Sequence, residues 1–234
     1  SRRDGKAAAF VHAKGDIEPC RELLAALPAD NLVGIDVVSG EKERRLGRTI
    51  LRYDHAQADN FDLFFAPGVF TQAFPAANDR LVESVCEMLR PEMEPRILEL
   101  HAGIGNFSTA LARQGALLQA SEIHPAAALF CQRNLRALGK NAQVLFKSDV
   151  EAWQECGEDL DAVLLDPPRT GAAAVCELLA QEGPERLVYV SCDAATFARD
   201  LKVLAAGGYE LKALKALEMF PQTSHVETAA LLTR

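Results

Sequence analysis

From residue 96 onward the chain alternates short β-rich runs with helical patterns, and this alternation constrains the fold more than any other feature. The strand-like runs fall at 96–100, 117–123, 143–146, 161–165, 186–191, 211–217 and 226–232. Helical stretches at 107–114, 125–138, 172–181 and 194–206 lie among them. Such alternation implies parallel strands joined by crossover helices, and so a sheet covered by helices. Gly207-Gly208 ends the last helix, where a backbone with positive φ is needed. Only residues 218–225 separate the final two runs, so these are expected as an antiparallel pair at one edge. The expected architecture is α/β: a doubly wound, mostly parallel, seven-stranded Rossmann-like sheet.

Before residue 96 the pattern changes. Runs at 7–13, 31–38, 48–53 and 61–65 read as strands, with one helix around 18–27, which describes a small α+β unit. A helix at about 79–89 follows, then a short linker from Pro91 to Pro95. The expected boundary lies near residue 75, giving a small subdomain at 1–75 and the main domain at 76–234.

Hydrophobic content of 49% with 25% charged residues is ordinary for a soluble globular protein. No apolar run approaches the roughly 20 residues of a membrane span, and the opening Ser1-Arg2-Arg3-Asp4-Gly5-Lys6 precedes no signal-peptide core. A cytoplasmic monomer is expected, with no membrane contact. The six cysteines (Cys20, Cys86, Cys131, Cys156, Cys176 and Cys192) are scattered, without a C-x-x-C pair. That argues against a metal site or a disulfide framework, and makes most of them small buried hydrophobes. A net charge of −8 counts against gripping nucleic acid by bulk electrostatics.

The chemistry-bearing residues cluster at strand ends. In Leu100-His101-Ala102-Gly103-Ile104-Gly105-Asn106-Phe107, a strand enters a glycine turn and then a helix. Gly103 and Gly105 let the backbone pass close to a ligand, although Ser108 stands where a dinucleotide fingerprint has its third glycine. Glu122 ends the second strand, where a carboxylate can accept hydrogen bonds from ribose hydroxyls. Asp149 is read as ending the third strand, within reach of an adenine. Together these favour an adenosine-type ligand, and the loop lacks the Lys-Ser/Thr pair that a polyphosphate needs.

Asp166-Pro167-Pro168-Arg169-Thr170-Gly171 ends the fourth strand, and its two prolines send the chain out of the sheet on a stiff path. Cys192 ends the fifth strand just before a helix, where the positive end of the helix dipole favours thiolate. In Phe220-Pro221-Gln222-Thr223-Ser224-His225-Val226-Glu227, two groups can act as a base. Glu227 heads an apolar strand where burial would raise its pKa, and is preferred over His225.

These segments together resemble the RNA 5-methyluridine methyltransferases over about residue 64 to the end, with Phe70-Thr71-Gln72 matching a further family segment. The resemblance implies a class I methyltransferase domain using S-adenosyl-L-methionine, with tRNA or rRNA as substrate. It implies that Gln72, His101, Asn106, Glu122 and Asp166 line the methyl-donor site, with Cys192 as nucleophile and Glu227 as base. Four positions depart from the family: His101 for Tyr, Ala102 for Cys, Phe74 for Asn, and Asp193 for the Asn that follows the nucleophile. An added charge at Asp193 is expected to raise the Cys192 pKa. Two rivals remain at this point. One is a 5-methylcytidine enzyme, though Pro168 occupies the position of one such group's cysteine. The other is a non-catalytic binding protein on the same scaffold. The aromatic residue of amine methyltransferases is absent, since Arg169 follows the two prolines.

Overall fold

The computed structural model describes residues 7–12, 31–55, 61–72, 74–140, 142–219 and 226–234. The expected helix at 18–27 and the segment 220–225 lie outside the described residues. The main sheet contains β6 (Arg96–Leu100), β7 (Leu117–Ser121), β8 (Gln143–Leu145), β9 (Ala162–Leu165), β10 (Arg186–Ser191), β11 (Glu210–Leu217) and β12 (Glu227–Thr233). Their order is β11-β12-β10-β9-β6-β7-β8. Strands β6 to β10 run parallel, and β12 runs antiparallel to both β10 and β11. The seven-stranded sheet with its antiparallel edge pair is therefore as the alternation implied.

Period-two alternation assigns each strand residue to a face. Ile97, Ala120, Ala162, Leu164, Val188, Val190 and Ala229 join a core with helices α1 (Pro75–Leu89), α2 (Asn106–Gln114) and α3 (Pro125–Ala137). Leu98, Leu100, Val163, Leu165, Leu187, Tyr189 and Ala230 turn the other way. They pack on α4 (Asp149–Cys156), α5 (Ala173–Glu182) and α6 (Ala194–Ala206). Strands covered on both faces explain why 162–165 and 187–190 read as unbroken apolar runs.

Helix α4 was not legible in the pattern, and it corrects the reading of Asp149. This residue does not end the third strand; it opens α4, whose cap is Ser148. Ser148 and Glu151 form a reciprocal capping box.

The remaining strands form smaller sheets. Strands β1 (Ala7–His12), β2 (Leu32–Ser39) and β3 (Lys42–Gly47) make a mixed three-stranded sheet, and β4 (Leu51–His55) pairs with β5 (Phe61–Phe65) as a hairpin. The expected strand at 48–53 begins later, because the Arg48 N–H still bonds Val33 O at 2.8 Å and extends the β2–β3 ladder. Among the described residues no helix is long and apolar enough to cross a membrane.

Candidate functional site

The sheet order places four strand ends in a row: His101 after β6, Asp166 after β9, Cys192 after β10, and Glu227 at the start of β12. The Asp166 N–H bonds Leu100 O at 3.3 Å, which ties the first two ends together. Ser191 lies opposite Thr228, and the Thr228 hydroxyl donates to Ser191 O at 3.1 Å. One step along that antiparallel ladder, Cys192 comes opposite Glu227. An acid, a thiol and a second acid, distant in sequence, thus share one edge of the sheet.

The glycine loop is fastened to its neighbours. The Gly103 N–H donates to Glu122 Oε2 at 2.9 Å, and the His124 N–H donates to Glu122 Oε1 at 2.7 Å. Each oxygen keeps acceptor capacity for a ligand hydroxyl. Gly103 has φ +57°, and a Cβ built there meets nothing, so the loop's outer side is open. At Gly105 (φ +88°) a Cβ would approach Cys131 Sγ at 3.2 Å, so glycine there permits close packing on α3. His101 Nε2 lies 3.3 Å from Asp149 Oδ2, linking the first strand end to the start of α4. That contact holds the Asp149 carboxyl below its usual range. Asn106 and Asn78 exchange two amide hydrogen bonds of 2.9 Å. Glu99 lies fully buried beneath the loop and accepts from the Ser108 hydroxyl at 2.5 Å. Burial pushes its carboxyl up to about 8.

Beyond the loop, Ile123 is 65% exposed and Phe146 48% exposed, both just after strand ends. Apolar side chains left open beside a row of polar groups mark a ligand surface rather than a core. Gln72 lies partly exposed between β5 and α1.

At the reactive end, burial raises the Glu227 carboxyl to about 7. Asp166 is raised well above the carboxylate range, by burial first and then by the charges of Glu227, Glu99 and Glu122. Cys192 does not behave as its place before a helix implied. Its thiol is raised by burial and by Glu227 and Asp166, with Arg169 opposing. Burial and the two carboxylates outweigh the helix start, whose donors the cap already engages. Asp193 accepts from the backbone N–H groups of Ala195 (3.0 Å) and Thr196 (2.9 Å), so the first free donors of α6 are already spent. The charges that raise the thiol are thus those of Glu227 and Asp166, while the Asp193 carboxylate is turned to the helix.

Two supporting residues escaped the sequence reading. Asp200 is fully buried on α6, where it accepts from the Tyr189 hydroxyl (2.6 Å) and the Ala172 N–H (2.8 Å). Arg199 pairs with it at 2.7 Å and also donates to Thr170 O at 2.9 Å. The Thr196 hydroxyl reaches Arg169 O at 3.0 Å. Helix α6 therefore holds the loop that follows Asp166 as well as the end bearing Cys192. Replacing Asp200 by alanine strands a buried hydroxyl and a buried N–H. The expected cost is about 3 kcal/mol, a fall in melting temperature of roughly 6–12 °C by calorimetry. Asn134 is the second such residue, fully buried on α3. Both sit on apolar helical stripes (Phe197, Asp200, Leu204; Cys131, Asn134, Leu135), and a polar residue in a buried stripe was the available signal.

A seven-stranded sheet in this order, with a glycine loop after its first parallel strand and carboxylates at successive strand ends, is the doubly wound fold of S-adenosylmethionine-dependent methyltransferases. Residues 39–234 match the family model described as tRNA (Uracil-5-)-methyltransferase. The 23S rRNA (uracil(1939)-C(5))-methyltransferase RlmD of Aeromonas hydrophila is 40% identical over 180 residues, covering 75% of this chain and 41% of that protein. Its counterpart in Pseudomonas entomophila is 36% identical over 223 residues, covering 89% and 49%. The crystal structure of Pyrococcus abyssi tRNA (uracil-54, C5)-methyltransferase in complex with S-adenosyl-L-homocysteine superposes with a TM-score of 0.79 at 28% identity. The match covers 97% of this chain and 56% of that one. The chain belongs to the tRNA (uracil-5-)-methyltransferase family, and it spans less than half the length of these two rRNA-modifying relatives.

Proposed function

We propose that this chain transfers a methyl group from S-adenosylmethionine to carbon 5 of a uridine in tRNA or rRNA, through a covalent adduct on Cys192. The observation that carries this reading is the meeting of a thiol, a buried carboxyl near pKa 7 and a second raised carboxyl at adjacent strand ends beside the glycine loop. Within it, residues 76–234 are the catalytic domain and 1–75 a smaller subdomain.

The residues present fit the methyl donor. Open space over Gly103, spare acceptor capacity on Glu122, and the exposed faces of Ile123 and Phe146 suit a ribose with a planar adenine. Gln72, His101, Gly105, Asn106, Asp149 and Asp166 complete the proposed lining. The donor supplies an electrophilic methyl sulfonium when bound. Cys192, after losing its proton to solvent, adds through Sγ to carbon 6 of the ring and pushes an electron pair toward the carbonyl at carbon 4. Carbon 5 then becomes enolate-like and takes the methyl group. Asp166, its carboxyl raised above the usual carboxylate range, is suited in its protonated form to donate a hydrogen bond to a ring carbonyl as negative charge develops there. Glu227, about half ionised at pH 7, takes the proton from carbon 5. The carbon–sulfur bond breaks and the thiolate returns.

Transcribed tRNA and rRNA, free of modification, provide the test. After incubation with protein and methyl donor, nucleoside mass spectrometry should detect 5-methyluridine. Detection of 5-methylcytidine alone, or of no methylated nucleoside, would overturn the reading.

A further inference from the structure

Asn134 makes three hydrogen bonds that do not belong to its own helix. Its Oδ1 accepts the Phe64 N–H at 2.9 Å, and its Nδ2 donates to Phe64 O at 3.0 Å. The carboxamide thus pairs with both backbone groups of one residue on the open edge of β5, as a neighbouring strand would. The second Nδ2 proton goes to Ile104 O at 2.9 Å, inside the glycine loop. One fully buried amide therefore joins the β4–β5 hairpin to the loop that faces the methyl donor. Arg133 reinforces the contact, its guanidinium 4.5 Å from the centre of the Phe64 ring.

The chain beyond β5 is fastened a second time. It passes Phe70 (72% exposed) and Gln72, then enters α1, where Asn78 pairs with Asn106 at the other end of the same loop. The described residues 65–72 form a strap that lies between two ties to the glycine loop, Asn134 before it and Asn78 after it. From this geometry we propose that Asn134 is a positioning residue that couples occupancy of the methyl-donor loop to the placement of this strap. The inference rests on the reading that the glycine loop holds S-adenosylmethionine. A loop stiffened by ligand can transmit order only through groups that touch both elements, and Asn134 touches both.

Hydrogen exchange with mass spectrometry on the full chain, with and without S-adenosylhomocysteine, tests the coupling. In the wild type the ligand should slow exchange in 101–106 and also in 61–72. In Asn134→Ala it should still slow exchange in 101–106 but leave 61–72 unchanged, with affinity lowered about tenfold. A merely structural role would raise exchange in 61–72 equally with and without ligand. Phe64→Pro removes the N–H given to Asn134 together with the ring beneath Arg133, on an edge strand, and provides a second variant if Asn134→Ala fails to fold. Ligand protection of 61–72 that survives in a folded variant would overturn the proposal, as would wild-type protection confined to 101–106. Absence of any ligand binding to the wild type would overturn the cofactor reading and the coupling together, a result distinct from the other two.

Discussion

Cys192→Ser is expected to abolish methyl transfer, lowering the rate by on the order of 10⁴-fold or more. A hydroxyl is a far weaker nucleophile than a thiolate at neutral pH. Burial and the carboxylates of Glu227 and Asp166 oppose ionisation of a group at this position, with Arg169 acting the other way. The same variant should lose the adduct that 5-fluorouridine RNA forms in the presence of methyl donor. There a fluorine replaces the proton that the base must remove, so the covalent intermediate stalls and survives denaturing electrophoresis. Cys176→Ser should keep the adduct, because Cys176 is fully buried in the core on α5. An adduct persisting in Cys192→Ser would remove this residue as nucleophile. Because the resting thiol lies above its usual pKa, adduct formation in the wild type should accelerate steadily as pH rises to 9.

Much of the main sheet was legible because its central strands are covered on both faces. Residues 186–191 hold the apolar run Leu187–Val190, and residues 96–100 hold Ile97, Leu98 and Leu100 before a glycine turn; the bounds of both agree with those read from the pattern. Elements with little apolar content were missed. Strand β3 reads Lys-Glu-Arg-Arg-Leu-Gly and has no strand signal of its own. Pairing with β2 creates it, through Leu46 in the small core and Arg45 on buried Asp36 at 2.8 Å. Helix α4 has only eight residues and two that are buried, Ala152 and Trp153, so its periodicity is faint. Its capping box was the readable sign, and overlooking it put Asp149 on a strand.

The site divides in the same way. Sheet order follows from the alternation of elements, so the neighbourhood of Asp166, Cys192 and Glu227 was inferable from their positions at strand ends. The sign of the Cys192 shift was not. Local sequence shows a helix start, which lowers a thiol pKa, whereas burial raises it first and the opposing carboxylates arrive from β9 and β12. The residues that hold the loops, Asn134 and Asp200, act across 70 and 28 positions of sequence respectively. Nothing in their immediate neighbours identifies those partners. Only their polarity within buried stripes sets them apart.

Glu227→Gln should separate the two chemical halves of the reaction. The amide keeps the shape of the carboxyl but cannot take a proton, so release of the methylated product should slow by about 10²–10⁴-fold. Attack by Cys192 should move in the opposite direction. Removing the Glu227 charge takes away one of the neighbours that raise the thiol, so more thiolate is present at neutral pH and the first covalent step should quicken. The combined result is a methylated protein–RNA adduct that forms in a burst and persists on a denaturing gel. The pH profile carries the sign of the assignment. Only ionised Glu227 can accept the proton, so wild-type product release should rise with pH and level off above about 7. In Glu227→Gln that inflection should vanish, leaving the thiol ionisation as the only rise. Turnover unchanged in the variant, with the inflection intact, would assign the base to His225.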